Sequence, residues 1–148
     1  MIFEKTEDIE RETNAIQKFV SLFNGSYQKL DKLDIDFKVF DKDKALIAYV
    51  EVKGRKTDMS NAYPLPISLE KVAKLIGKRL NPVIIWACTD GIIYGRVYEL
   101  KGEVKWGSAA SGEFSFSGST NSAPKIGEES WAAWRRAEPF RLDWDAEF

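Results

Sequence analysis

An α/β fold is predicted for this chain by three features of its sequence. Residues 6–24 carry a helical apolar period, residues 34–40 alternate apolar and polar positions, and residues 45–50 and 83–88 are short continuous apolar runs. Such runs, bounded by turn residues, read as strands buried on both faces.

The first helix is capped by Thr6, and Glu7, Asp8 and Glu10 suit the positive end of its dipole. Ile9, Ile16, Phe19, Val20 and Phe23 form one apolar stripe, and Asn24-Gly25 stops the helix. At about 100° per residue, Glu12 falls near the middle of that stripe, whereas Glu7 and Glu10 face solvent. Glu12 reads either as a site residue or as a helix-edge acid that snorkels or pairs with a lysine.

A short strand follows over residues 27–33, apolar at Tyr27 and Leu30. Ile35, Phe37 and Val39 then share one face of a second strand, and the polar turn 41–44 makes residues 34–53 a β-hairpin. A two-residue loop at Lys42-Asp43 sets Asp34 opposite Glu51, and one at Asp43-Lys44 sets Asp36 there. Both leave Asp34 and Asp36 on the face of Glu51 and Lys53. Opposed Cβ atoms lie ~5 Å apart, so either aspartate can share a cation with Glu51.

The third strand breaks its own pattern. After the apolar run, Glu51 and Lys53 project one way and Val52 the other. An acid and a base leaving a buried strand are costly unless paired, hydrated or bound to metal. A structural salt bridge at the strand end is the plainer alternative to an active site. Gly54 lets the backbone turn or lets a ligand approach it.

Residues 55–66 are aperiodic, contain Pro64 and Pro66, and read as a loop beside the site. Ser68 caps a second helix over residues 69–80, with Val72, Leu75, Ile76 and Leu80 on one face. Asn81-Pro82 ends it. The run 83–88 forms a hairpin with residues 92–98 across Thr89-Asp90-Gly91, and Cys88 reads as a packed core thiol. Glycines and serines weaken the structure from Lys101 to about Lys125, with one edge strand expected at residues 113–117. Trp131, Trp134, Phe140, Trp144 and Phe148 are expected to pack the tail onto the core.

Composition narrows the function. The 148 residues read as one domain, with a core over about 6–98 and a C-terminal extension over about 99–148. No histidine is present, which excludes a Ser-His-Asp triad, a Cys-His dyad and nearly every protein-ligated zinc site. Any metal must be a hard cation held by oxygen, which favours magnesium or manganese. A net charge of -1 excludes a broad polyanion binder and leaves nucleic acid to a local basic cluster. The absence of a signal-type segment, of a membrane-length apolar run and of a second cysteine predicts a reducing, cytoplasmic setting without membrane contact. No glycine-rich loop joins a strand to a helix, so a nucleotide-binding enzyme has little support.

The order helix, short strand, hairpin, helix, hairpin, with acids at these points, resembles the core of the PD-(D/E)XK nuclease superfamily, the restriction-endonuclease-like fold. The residues that carry it are Asp36-Phe37-Lys38-Val39, Glu51-Val52-Lys53-Gly54, the helix after that motif and the apolar strand 82–88. The resemblance covers about residues 6–98. It departs in having Ile35, not proline, before the Asp, and in offering Asp34 beside Asp36; the family pattern favours Asp36.

The resemblance implies an α-β-β-β-α-β-β core, a central mixed sheet flanked by helices. It also implies that Asp36 or Asp34, together with Glu51 and the Val52 carbonyl, ligates Mg2+ or Mn2+. Lys53 then orients or activates the attacking water, Glu12 is the acid of the first helix near the metal, and Lys71 lies near the scissile phosphate. Arg55 and Lys56 extend a basic patch toward the nucleic-acid backbone. The implied function is a metal-dependent nuclease cutting DNA in phage or bacterial DNA processing, in bacterial or host cytoplasm, with a homodimer partner as one route to recognition. The alternative is a catalytically inactive protein of the same fold, acting as a binding or structural module.

Overall fold

The computed structural model describes residues 6–31, 35–78, 80–97, 102–106, 112–116, 121–122 and 140–143. The expectations placed on Asp34, Trp131, Trp134, Trp144 and Phe148 lie outside these residues. The elements follow as α1 (Thr6–Ser21), β1 (Ser26–Lys29), β2 (Phe37–Phe40), β3 (Leu46–Gly54), a 3-10 turn (Met59–Asn61), β4 (Leu65–Ser68), α2 (Leu69–Gly77), β5 (Pro82–Ala87), β6 (Gly91–Arg96), β7 (Gly102–Trp106), β8 (Gly112–Phe116), β9 (Asn121–Ser122) and β10 (Phe140–Asp143). The architecture is α/β. A mixed sheet of order β1-β2-β3-β5-β6-β10-β9 carries the helices, and β4-β8-β7 form a second, antiparallel sheet.

The apolar runs are continuous because both faces of the large sheet are covered. On one face Ala15, Ile16, Phe19, Val20 and Leu22 of α1 and its end pack on Phe37, Val39, Ala48, Val50, Val52 and Ile85. On the other, Val72 and Leu75 of α2, with Met59, Leu65, Ile67 and Phe116, cover Ile84, Trp86 and Ile93. No helix of the described residues is long and apolar enough to cross a membrane.

Several expectations are corrected. Residues 65–68 form a strand, not a loop, so β4 interrupts the expected order between β3 and α2. Pro66 is tolerated because β4 is an edge strand of the small sheet. β8 is the centre of that sheet, not an edge, and β10 of the extension pairs with β6, so the large sheet runs past the expected core. Helix α2 ends at Gly77, and Ile76 is 40% exposed, because the core direction lies between Val72 and Leu75. Ile9 is likewise exposed, at 45%, about two turns before the stripe reaches the sheet at Ile16. Ile35 packs on the α2 side, although Phe37 and Val39 pack under α1, so the chain bends at Asp36.

The hairpin closes by neither two-residue loop. Asp41 N–H donates to the Ala45 carbonyl at 2.9 Å, and Lys44 N–H donates to the Asp41 carbonyl at 3.0 Å. The Asp41 carboxylate accepts from the N–H of Asp43 and of Ala45, both at 2.9 Å. Lys44 sits at φ 65°, the left-handed third residue of a three-residue loop. A register shift between Val39 and Phe40 then yields Val39↔Ala48 and Phe37↔Val50, which directs Asp36 toward Glu51.

Candidate active site

β3 and β5 run parallel at the middle of the sheet, paired Glu51↔Ile84 and Lys53↔Trp86. Ile84 and Trp86 face α2, so Glu51 and Lys53 leave β3 on that side, while Val52 packs toward α1. β2 stops pairing at Phe37↔Val50, and Asp36 takes over from the ladder. Its Oδ2 accepts from Val52 N–H at 2.9 Å, and Glu51 Oε2 accepts from Asp36 N–H at 3.2 Å. Each acid is thus fixed by the main chain of the other strand. A strand residue directs its N–H and C=O to the same edge, so the Val52 carbonyl also faces the Asp36 side.

Glu51 is 4% exposed. Burial, and then the negative charge of Asp36, push its carboxyl from 4.5 up to about 7, against the opposing pull of Lys71 and of the Asp36 N–H. Lys71 reaches down from α2 and places Nζ 3.2 Å from Glu51 Oε1. Burial works against the Lys71 ammonium, but the charge of Glu51, their hydrogen bond and the charge of Asp36 outweigh it and raise its pKa. Lys29, the last residue of β1, lies 3.6 Å from Asp36 Oδ1 and 2.8 Å from Glu12 Oε2, with its ammonium 4.9 Å from the Phe37 ring centre.

Asp36, Glu51 and Lys71 therefore meet near the end of β3, and Lys53 leaves the same face two residues on. Glu51 pairs with Lys71, not with Lys53, which is exposed. Glu12 is linked to this group through Lys29, since α1 covers the opposite face from the one carrying Glu51. Glu12 is paired with a lysine, at 2.8 Å from Lys29 Nζ. Among the described residues, no three His, Cys, Asp or Glu are grouped to hold a metal. The carboxylate set is the Asp36–Glu51 pair.

That pair has the donor chemistry for a small hard cation. One oxygen of each carboxylate is held by an N–H, and the other faces a lysine ammonium. Magnesium is commonly held by one or two carboxylates and keeps several waters.

Of the basic residues, Arg55 spends its Nε on the Ala62 carbonyl at 3.1 Å, pinning the loop after β3, while Lys56 is exposed. The same loop is tied to the β5–β6 turn by Met59 N–H to Asp90 Oδ1 and Thr89 N–H to the Thr57 carbonyl. Cys88 is buried, and burial pushes its thiol up to about 11, as suits a packing residue.

Two residues escape sequence reasoning. Lys29 stands across from Phe37 in the β1–β2 ladder, a position legible only once that register is known. Arg11 lies against Gly54, where an added Cβ would be 2.7 Å from Nη1. The glycine signals a close approach, but what approaches is a guanidinium of α1. Comparison with protein-family models, with curated proteins and with solved structures finds no match.

Proposed function

We propose that this chain is a magnesium- or manganese-dependent nuclease with a restriction-endonuclease-like core, hydrolysing DNA phosphodiester bonds by attack of water. The observation that carries the reading is the Asp36–Glu51 pair at the end of β3, each carboxylate held by the other strand, with Lys53 two residues on. Ligands of open α/β sheets tend to bind outside the carboxyl ends of parallel strands, and β3–β5 is a parallel pair at the middle of the large sheet.

Asp36, Glu51 and the Val52 carbonyl would hold the cation, which when bound supplies a water of lowered pKa and a Lewis acid for the phosphate. Asp36 and Glu51 are already oriented by main-chain bonds, so little reorganisation is left to binding. Lys53, exposed beside them, orients the water and offsets charge that develops on the phosphate. Lys71 holds Glu51 in place and offers a second positive charge on the same side. Lys56, exposed in the loop that follows β3, extends that charge along the backbone of a nucleic acid.

A second reading, a catalytically inactive protein of this fold, has one observation in its favour. Lys29 and Lys71 already neutralise the acids without a metal. Cleavage of supercoiled plasmid, linear duplex, single-stranded DNA and RNA in 5–10 mM-scale magnesium, with a chelator control, separates the two (a concentration of about this size saturates weak oxygen sites). The wild-type chain is expected to cut DNA only with metal, and Lys53→Ala to lose about 10²–10³-fold in rate. Metal-independent or absent cleavage, or an undiminished Lys53→Ala rate, contradicts the proposal.

A further inference from the structure

The loop after β3, residues 55–62, is bonded along its length to the end of β5 and to the turn that follows it. Arg55 N–H donates to the Ala87 carbonyl at 2.8 Å, and Thr89 N–H donates to the Thr57 carbonyl at 3.0 Å. Met59 and Ala62 are buried in the cluster under α2, so the loop lies on the face that carries Glu51 and Lys53.

A further tie comes from a carboxylate. The β5–β6 connection is a two-residue turn, Thr89-Asp90, closed by Cys88 N–H to the Gly91 carbonyl at 2.8 Å. From it, Asp90 Oδ1 accepts from Met59 N–H at 2.9 Å. Met59 opens the 3-10 turn, and the opening N–H groups of a helix have no acceptor inside it, so Asp90 supplies one from another loop. Asp58 caps the same turn, its Oδ1 accepting from the N–H and Nδ2 of Asn61 at 2.9 and 2.8 Å. Both acids are thus turned to donors of the loop, and Arg55 Nε to the Ala62 carbonyl. Lys53 and Lys56 are exposed, their Cα atoms no more than about 10 Å apart.

We infer that Asp90 is a positioning residue for nucleic-acid binding: by holding Met59 it fixes loop 55–62 against the β5–β6 turn and presents Lys56 beside Lys53 as a preformed contact for the sugar–phosphate backbone next to the scissile bond. The inference rests on the nuclease reading above and deepens it. A loop that is already ordered loses little freedom when the backbone binds. The sign of the effect separates this role from a purely electrostatic one. An acid that merely stands near a polyanion repels it, so its removal tightens binding. An acid that holds the loop strengthens binding despite its charge, so its removal weakens binding. Asparagine removes the charge and keeps the Oδ1 acceptor, whereas alanine removes both. Asp90 lies in an exposed turn, so neither replacement empties the core.

Binding of the full chain to a fluorescein-labelled DNA duplex, followed by anisotropy over a salt series in chelator, tests this, with magnesium-dependent cleavage measured beside it. Asp90→Ala is expected to weaken binding about five- to tenfold and to raise KM more than it lowers kcat. Asp90→Asn is expected to bind at least as tightly as the wild type. Lys56→Ala should lower the slope of log affinity against log salt by about 1, and adding Asp90→Ala to it should cost little further. Asp90→Ala binding as tightly as the wild type overturns the inference. So does Asp90→Asn binding as weakly as Asp90→Ala, or an undiminished Asp90→Ala effect in the Lys56→Ala background. No binding by the wild type overturns it whatever the cleavage assay gives. The expected binding pattern without metal-dependent cleavage overturns the nuclease reading and leaves the role of Asp90 in binding standing.

Discussion

The Glu51 carboxyl, buried against α2 and facing Asp36, has its pKa raised from 4.5 to about 7 in the folded chain. Between those values the folded state keeps a proton that the unfolded state has lost. Stability therefore falls as pH rises from about 4.5 to about 7 and is flat above that window, the loss being on the order of 3 kcal/mol. A glutamine at this position keeps an acceptor for the Asp36 N–H and removes the repulsion, though it gives up the charge attraction to Lys71. Glu51→Gln should accordingly be more stable than the wild type at pH 8 by about 1–2 kcal/mol, and the two should converge near pH 5. Urea denaturation at the two pH values checks this; a variant less stable than the wild type at pH 8 would mean that Glu51 is held for structure, through Lys71. A buried acid whose charge costs stability, set beside a second acid, is typical of a working site.

At the scale of elements, the hairpin decides the site. The two-residue loops considered from sequence place either aspartate across from Glu51, and the choice between them is made by Asp41. Its carboxylate binds the N–H groups of Asp43 and Ala45, closing three residues instead of two, and the register shift before Phe40 then aims Asp36 at Glu51. Asp41→Ala should cost about 1 kcal/mol, read as a shift in the urea midpoint. An unchanged midpoint would mean that the loop closes without the carboxylate. Sequence made β3 and the pairing of its acid with an upstream Asp legible, since apolar runs and face alternation are local properties. It did not make the register legible, because that depends on side-chain-to-backbone bonds inside the turn. Nor did it reveal β4, where Pro66 and the preceding Pro64 mimic a loop, or the central place of β8, whose small residues mimic a linker. Glu12 was visible as an acid on an apolar stripe, but its partner was not, since Lys29 meets it only after β1 pairs with β2.

Across the whole molecule, the two sheets are joined through Trp86. Its indole N–H donates to the Pro66 carbonyl of β4 at 2.8 Å, and its ring meets Phe116 of β8 edge-on with centroids 5.7 Å apart. Trp86 is fully buried one strand over from Lys53, so the small sheet buttresses the carboxyl end of β3 and β5. Trp86→Phe removes the bond, strands the carbonyl and leaves a void, for about 2–3 kcal/mol of stability; thermal unfolding measures it, and a loss under about 0.5 kcal/mol, the range of neutral surface changes, would contradict that bracing role. The general α/β class was legible because buried strands and amphipathic helices leave strong patterns. How the C-terminal third joins the sheets was not, because β10 finds β6 across a long stretch of chain.

The central claim is that the Asp36–Glu51 pair holds a catalytic cation. Its most direct test is plasmid cleavage by Glu51→Gln at pH 8 in magnesium. The account predicts cleavage by the wild type, abolished by chelator, and a fall of at least about 10³-fold in the variant, although that variant folds at least as stably. Cleavage by Glu51→Gln at the wild-type rate would contradict it.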